Sequence, residues 1–181
     1  MKITHWIYLE EVDSTSTWLK ENAKQYTHNA TVIWSSRQTR GKGRYNRTWV
    51  SDPGGLYFSV LLLPNFDQVT PETLVRSFSE FLTSYALLSW NLELWVKPPN
   101  DVYYQSKKLA GILIENIFYG EQLEATILGV GINVNQVFPP DFDFGSANLG
   151  YQPVSLAQLL GREIDIEGLL KDLVSNWNPP L

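Results

Sequence analysis

A chain of 181 residues with 44% hydrophobic and 18% charged residues is long enough to bury one sizeable core, and its composition is neither that of a disordered protein nor that of a membrane-embedded one. The absence of cysteine excludes disulfides and thiolate metal sites, and the only two histidines, His5 and His28, have no ligand-like spacing, so neither a structural zinc nor a histidine base is expected. A net charge of −5 argues against bulk nucleic-acid binding, and with no apolar leader and no apolar run of bilayer length the chain reads as cytoplasmic.

Residues 5–9, His-Trp-Ile-Tyr-Leu, read as a short strand. The Asp13-Ser14-Thr15 cluster ahead of Trp18 and Leu19 is a helix N-cap signal, predicting a helix to about Tyr26. One hydroxyl there can cap while its neighbour faces an anion at the helix N-terminus. Residues 31–36, Thr-Val-Ile-Trp-Ser-Ser, have strand composition and deliver the chain into residues 37–49. That stretch holds five of the fourteen basic residues and none of the nineteen acids. Gly41 and Gly43 allow φ > 0 and close approach of a ligand, and the flanking arginines are planar, permanent donors that match phosphate oxygens. A solvated basic loop or a nucleic-acid contact would show the same charge.

The near-continuous apolar run Leu56 to Leu63 predicts a central strand covered on both faces. Thr70-Pro71 opens the longest helix, with Leu74, Val75, Phe78, Leu82, Tyr85 and Ala86 on one face to about Trp90. Residues 92–97 alternate with period two, so Lys97 shares a face with Glu93 and Trp95, and Pro98-Pro99 stops the strand. Val102 to Tyr104 and Leu109 to Phe118 read as a hairpin with residues 105–108 as its turn, and Leu123 to Val134 as a further strand whose glycines admit something close to the backbone or pack against a helix. Residues 138–153 read as loop, and residues 154–160 and 166–177 as helices. About six or seven strands and four helices predict a single α+β domain on a mixed β-sheet flanked by helices.

Three separated stretches together resemble the catalytic domain of biotin protein ligases, over roughly residues 8–160. Gln38 with Gly41-Lys42-Gly43-Arg44-Tyr45-Asn46-Arg47-Thr48-Trp49 is similar to that family's Gly-Arg-Gly-Arg-x-Gly-Arg-x-Trp element. Lys97-Pro98-Pro99-Asn100-Asp101 and Lys108-Leu109-Ala110-Gly111-Ile112-Leu113-Ile114-Glu115 are similar to its Lys-Trp-Pro-Asn-Asp and Lys-Leu-Ala-Gly-Ile-Leu-x-Glu elements. Gly129-Val130-Gly131-Ile132-Asn133 matches its Gly-x-Gly-Ile-Asn strand, and Asp13-Ser14-Thr15 the opening of its first helix. Pro98 stands where the family has tryptophan, Lys42 where it has arginine, and Asn46 where many members have a glycine, a place whose left-handed backbone asparagine tolerates.

The resemblance implies a two-step reaction: biotin and ATP give biotinyl-AMP and pyrophosphate, and the biotinyl group then passes to one lysine of the biotin carboxyl carrier domain of a carboxylase such as acetyl-CoA carboxylase. It implies Arg44 and Lys97 as the catalytic pair, since a carboxylate attacking an α-phosphate needs fixed positive charge rather than a general base. For biotin it implies Ser14, Thr15, Gln38, Gly41, Lys42, Arg44, Lys97, Gly111 and Gly131; for ATP, Lys42, Arg44, Arg47, Trp49 stacked on adenine, and Asn133. No residue is assigned to a metal, and Mg²⁺ is expected to arrive with ATP. No nucleic acid or membrane partner is expected, and a homodimer is left open. Residues 1–181 are expected to be the catalytic domain alone. The family's small SH3-like C-terminal domain is expected to be absent or truncated and the helix-turn-helix of its repressor members to be absent, so a repressor role is not expected and carrier transfer should be less efficient than adenylate formation. Lipoate or octanoate ligases and transferases share the scaffold, but their Arg-Arg-x-x-Gly-Gly-Gly and Ser-Gly-x-Ala signatures are absent. A non-catalytic nucleotide- or RNA-binding module would use only the basic loop, and a P-loop is excluded because Gly43, not Ser or Thr, follows Gly41-Lys42.

Overall fold

Eight strands share one mixed sheet with helices on both faces, in a computed structural model that describes residues 3–26, 31–62, 70–139 and 151–180. The strands are β1 His5–Val12, β2 Thr31–Gln38, β3 Gly55–Leu62, β4 Trp95–Lys97, β5 Asp101–Tyr104, β6 Lys107–Tyr119, β7 Gln122–Asn133 and β8 Gln152–Pro153. Seven of them lie side by side in the order β1-β2-β3-β7-β6-β5-β4, and β8 pairs with β6. Only the β1–β2 and β6–β8 pairs are parallel. The α+β class expected from the sequence is observed, with one strand more than its upper count.

The helices are α1 Thr15–Asn22, α2 Pro71–Trp90, α3 Leu156–Leu160 and α4 Ile166–Asn176. Three start on the predicted kind of cap: Ser14, Thr70 and Ser155 each accept a bond from a backbone N–H three residues on, and Gln158 closes the reciprocal box with Ser155. Every residue of β3 is buried. Its side chains alternate across the sheet, so Leu56, Phe58, Val60 and Leu62 join α2 and α4 in the larger core, while Leu61 joins Leu19 of α1, Ile33 and Ile127 beneath the other face. Helix α1 covers only part of that second face. The remainder is the floor of the site described below.

Several boundaries differ from the sequence expectation. Strands β1 and β2 run on to Val12 and Gln38 because their parallel register continues through Glu11↔Arg37, and a charged residue at a sheet edge keeps its side chain in water. The first helix stops at Asn22 and a 3₁₀ turn, Ala23–Gln25, carries the chain on. The fourth strand shrinks to three residues because Leu92 turns into the core. The hairpin turn is only Gln105 and Ser106, with Gln105 at φ 52, so Lys107 and Lys108 belong to β6. Leu63, expected as the end of the third strand, and most of the expected loop after Phe138 fall outside the described residues.

Candidate functional site

The basic stretch folds back on itself as a hairpin. Gln38 N–H donates to Ser51 O (3.1 Å), Trp49 N–H to Gly41 O (2.9 Å) and Gly43 N–H to Arg47 O (2.7 Å). Its tip is a 3₁₀ turn in which Tyr45 takes the left-handed conformation (φ 56, ψ 41), the position the sequence had assigned to Asn46. The two glycines serve closeness rather than a positive φ. Gly43 sits at φ −114, and a Cβ on Gly41 would meet Trp49 O at 2.3 Å and Ser51 Oγ at 2.5 Å. Gly41, expected against biotin, is therefore turned into the hairpin's own seam and does not line the main cavity.

All the other expected site residues except Asn133 line that one cavity, of about 270 Å³. One wall is the N-terminus of α1. Gln38 Oε1 accepts from Thr15 N–H (2.9 Å) and from Thr15 Oγ (3.2 Å), while its amide nitrogen donates to Ser51 Oγ (2.9 Å), so Gln38 ties the helix to the hairpin. Ser14 is the cap and also faces the cavity, which combines the two roles the sequence offered for these hydroxyls.

The floor is the glycine strip of β6 and β7, where Gly111 and Gly131 are directly paired. The sequence reading placed biotin flush on these glycines; here the Trp49 indole lies on them instead. A Cβ on Gly131 would fall 2.5 Å from Trp49 Nε1, and one on Gly111 2.9 Å from its Cζ3. Replacing Gly131 by alanine is expected to cost about 1–3 kcal/mol of stability through this overpacking, and much less when Trp49 is also alanine. Urea unfolding of the two single variants and the double variant measures the coupling. Strictly additive losses would mean that the indole does not press on this strand.

The third wall is cationic. Arg44 donates through Nη2 to Tyr45 Oη (2.8 Å) and through Nη1 to Asn100 Oδ1 (3.4 Å). Asn100 is itself fixed, since its side-chain nitrogen donates to Ile112 O (2.7 Å) and its backbone carbonyl accepts from Ile112 N–H (2.9 Å). Lys97 leaves β4 on the cavity side, as the period-two pattern required, with its ammonium 5.3 Å from the Tyr103 ring centroid. Pro98 and Pro99 line the cavity beside it. Arg47 lines the cavity, and Lys42 does so with Glu115 Oε1 3.8 Å from its Nζ.

Lys108, which sequence reasoning put in a turn, is the most buried cation of the site at 8% exposure. Its Nζ is 2.8 Å from Asp101 Oδ1 and stands over the rings of Trp49 (5.0 Å) and Tyr151 (4.7 Å). Desolvation lowers its pKa from the ordinary 10.5; Asp101 opposes this, and Arg47 and Lys97 add to it. The folded value lies below the unfolded one, so between the two the unfolded chain holds more protons and this group's contribution to stability rises with pH. An anion entering the cavity would restore the proton. Nucleotide binding at alkaline pH is therefore expected to take up protons, seen as a binding heat that depends on the buffer's ionisation enthalpy, and lost in Lys108→Met. A heat independent of buffer would contradict this.

Asn133 lies on the far side of the indole, in a second cavity of about 250 Å³ that Trp49 and Tyr151 also line. Its amide nitrogen donates to the carbonyls of Lys108 (3.3 Å) and Val154 (3.1 Å), which fixes the side chain's orientation and leaves its oxygen as the atom to offer an incoming donor. Trp49 thus stands between two pockets, with its buried Nε1 lacking an acceptor. Lys108, Asp101, Tyr151 and Ser16 are among the cavity residues that composition and spacing missed. Lys108 and Asp101 did stand inside the quoted motifs. Tyr151 is brought in only by the β6–β8 pairing, for which a two-residue strand leaves no periodic signal.

Comparison with known proteins bears on the family and the fold. The sequence model of the biotin/lipoate A/B protein ligase family matches residues 8–133. The chain is 30% identical over 172 residues to the bifunctional ligase/repressor BirA of Bacillus subtilis, covering 94% of this chain and 51% of that protein. It is also 30% identical over 181 residues to the biotin–[acetyl-CoA-carboxylase] ligase of Paracoccus denitrificans, covering 96% of this chain and 72% of the relative. Among solved structures, the biotin protein ligase of Aquifex aeolicus in complex with biotin and ATP superposes with a TM-score of 0.78 at 32% identity, covering 96% of this chain and 68% of that one. The chain spans about half the length of the Bacillus relative.

Proposed function

Because the chain belongs to the biotin/lipoate A/B protein ligase family, we propose that it activates biotin with ATP to biotinyl-5′-AMP and passes the biotinyl group to a lysine of a carboxylase carrier domain. The observation that carries the reading is the convergence on one cavity of fixed cations, Arg44, Lys97 and Lys108, with the uncharged Ser14, Thr15 and Gln38. In the first step the biotin carboxylate oxygen forms a bond to the α-phosphorus while the bond to pyrophosphate breaks. Two anions meet, and no proton has to be removed. Arg44 and Lys97 would neutralise carboxylate and α-phosphate oxygens, and Lys108, held by Asp101 in a drier place, would do so more strongly per charge. In the second step the carrier's lysine nitrogen attacks the acyl carbon and AMP leaves.

The two cavities suit the two halves of the product, biotin beside α1 and adenine beside Asn133, with Trp49 as the aromatic face between them. Joining them requires the indole to move off the glycine strip. Asp101 is the one carboxylate among the described residues lining the main cavity, and Lys108 already holds it, so Mg²⁺ would be carried by the phosphate oxygens and water. Among the described residues no group of three or more potential metal ligands occurs, and no helix is long and apolar enough to cross a membrane. The reading places the protein in the cytoplasm as a catalytic domain.

Thermal-shift measurements with biotin, lipoate and ATP test the assignment, since a ligand that binds only the native state raises the midpoint by mass action. Biotin is expected to stabilise the chain and lipoate to leave it unchanged. Stabilisation by lipoate alone would assign the chain to the other branch of its family.

A further inference from the structure

Behind the α1 wall runs a chain of hydroxyls whose direction is fixed by its ends. Ser59 Oγ, on β3 and fully buried, lies 2.8 Å from Thr15 Oγ and 2.9 Å from Ser16 Oγ. Gln38 presents its oxygen to Thr15, because the Thr15 backbone N–H can only donate, and the one arrangement that makes every contact in the line a hydrogen bond at once has Thr15 Oγ donating its proton to the same oxygen. With that proton committed, Ser59 has to donate to Thr15. With the Ser59 proton committed in turn, Ser16 has to donate to Ser59. Beyond Gln38 the direction continues, since its amide donates to Ser51 Oγ and Ser51 donates to Trp49 O (3.0 Å). The whole line therefore points from the cavity's inner end toward the basic hairpin. Gly129 belongs to the same device, because a Cβ there would come within 2.6 Å of Ser16 Oγ and force it out of line.

Building on the biotin reading above, we infer that Ser59 is a positioning residue that sets ligand selectivity: by taking the Ser16 proton and giving its own to Thr15, it leaves Thr15 and Ser16 with acceptor lone pairs and no proton to offer, so that of the three hydroxyls on this wall only Ser14 keeps one. Where Thr15 and Ser16 face the cavity the wall then only accepts, which selects a ring carrying N–H donors at that place and rejects one that presents only acceptors there. A cyclic urea satisfies it, whereas a disulfide or ester ring does not. Ser59 does not line the cavity and acts only through Thr15 and Ser16. Removing its hydroxyl frees the Ser16 proton to turn toward the ligand, so the inner end changes from acceptor to donor.

The test compares biotin with its cyclic-carbonate analogue, in which both ureido N–H groups are replaced by oxygen, on wild type and on Ser59→Ala by competition calorimetry. Wild type is expected to prefer biotin by about a hundredfold or more, since two acceptors are brought face to face in the analogue. Ser59→Ala is expected to bind biotin about tenfold more weakly and the carbonate equally or more tightly, so that the preference collapses. Ser16→Ala, which removes the terminal hydroxyl without touching β3, is expected to weaken biotin alone and serves if Ser59→Ala does not fold. Equal weakening of both ligands in the variant would reduce Ser59 to packing and overturn the inference while leaving the biotin assignment standing. Failure of wild type to bind biotin at all would overturn both.

Discussion

Arg44→Ala and Lys97→Ala are each expected to lower biotin-dependent pyrophosphate release by about a hundred- to a thousandfold, the loss that follows removal of one preorganised donor to developing charge, or roughly 3–4 kcal/mol. Neither side chain supports the core. Arg44 sits at the tip of the hairpin with Tyr45 and Asn100 as partners, and Lys97 is exposed at the end of a three-residue strand. Their variants should therefore melt close to wild type. The two roles differ in how they are held. Arg44 reaches Asn100, which is bonded at two points to Ile112, whereas Lys97 is placed by strand alternation and by the face of the Tyr103 ring. Pyrophosphate release at near wild-type rate in either variant would remove that residue from the chemistry.

The second large effect concerns Asp101 and Lys108, and it is asymmetric. Asp101→Asn leaves an ammonium in a nearly closed site with only the like charges of Arg47 and Lys97 near it. Breaking one side of a fully buried pair costs about 3–5 kcal/mol. The Asp101 side chain is 26% exposed, so about 2 kcal/mol of lost stability is expected here. Lys108→Met removes the charge that needs a partner and keeps the aliphatic stem against Trp49 and Tyr151, so it should be nearly neutral for stability while abolishing adenylate formation. The loss in Asp101→Asn should shrink as the pH rises, because the unpaired Lys108 then sheds its proton. Denaturant unfolding of both variants at neutral and alkaline pH reads this directly. A larger loss for Lys108→Met would mean that the stem or the pair itself, rather than the stranded charge, dominates.

Much of this site was legible because charge, capping and period are local. Five bases without an acid marked the hairpin, Asp13-Ser14-Thr15 marked the start of α1, and alternation through Leu92, Leu94 and Val96 put Lys97 on the open face. What escaped was set by pairing between distant segments. Gly111 and Gly131 were expected against biotin, yet that Trp49 lies on them follows from the hairpin's register, which no spacing within β6 or β7 encodes. The sequence places Lys108 in a turn because Gln105 adopts φ 52 without being glycine or asparagine, so the two-residue turn carries no signal. Ser59 was hidden for a different reason. In an apolar strand a single serine looks like a tolerated small residue, and only the packing of α1 on β3 reveals that its hydroxyl has two partners.

The most direct measurement is the product itself. The chain is incubated with biotin and ATP labelled at the α-phosphate, and the acid-quenched mixture is separated and identified by mass. The account predicts biotinyl-AMP and pyrophosphate in equal amounts, formed only when biotin is present and lost in Arg44→Ala and Lys97→Ala. ATP turnover at the same rate without biotin, or an adenylate formed from lipoate and not from biotin, would contradict it.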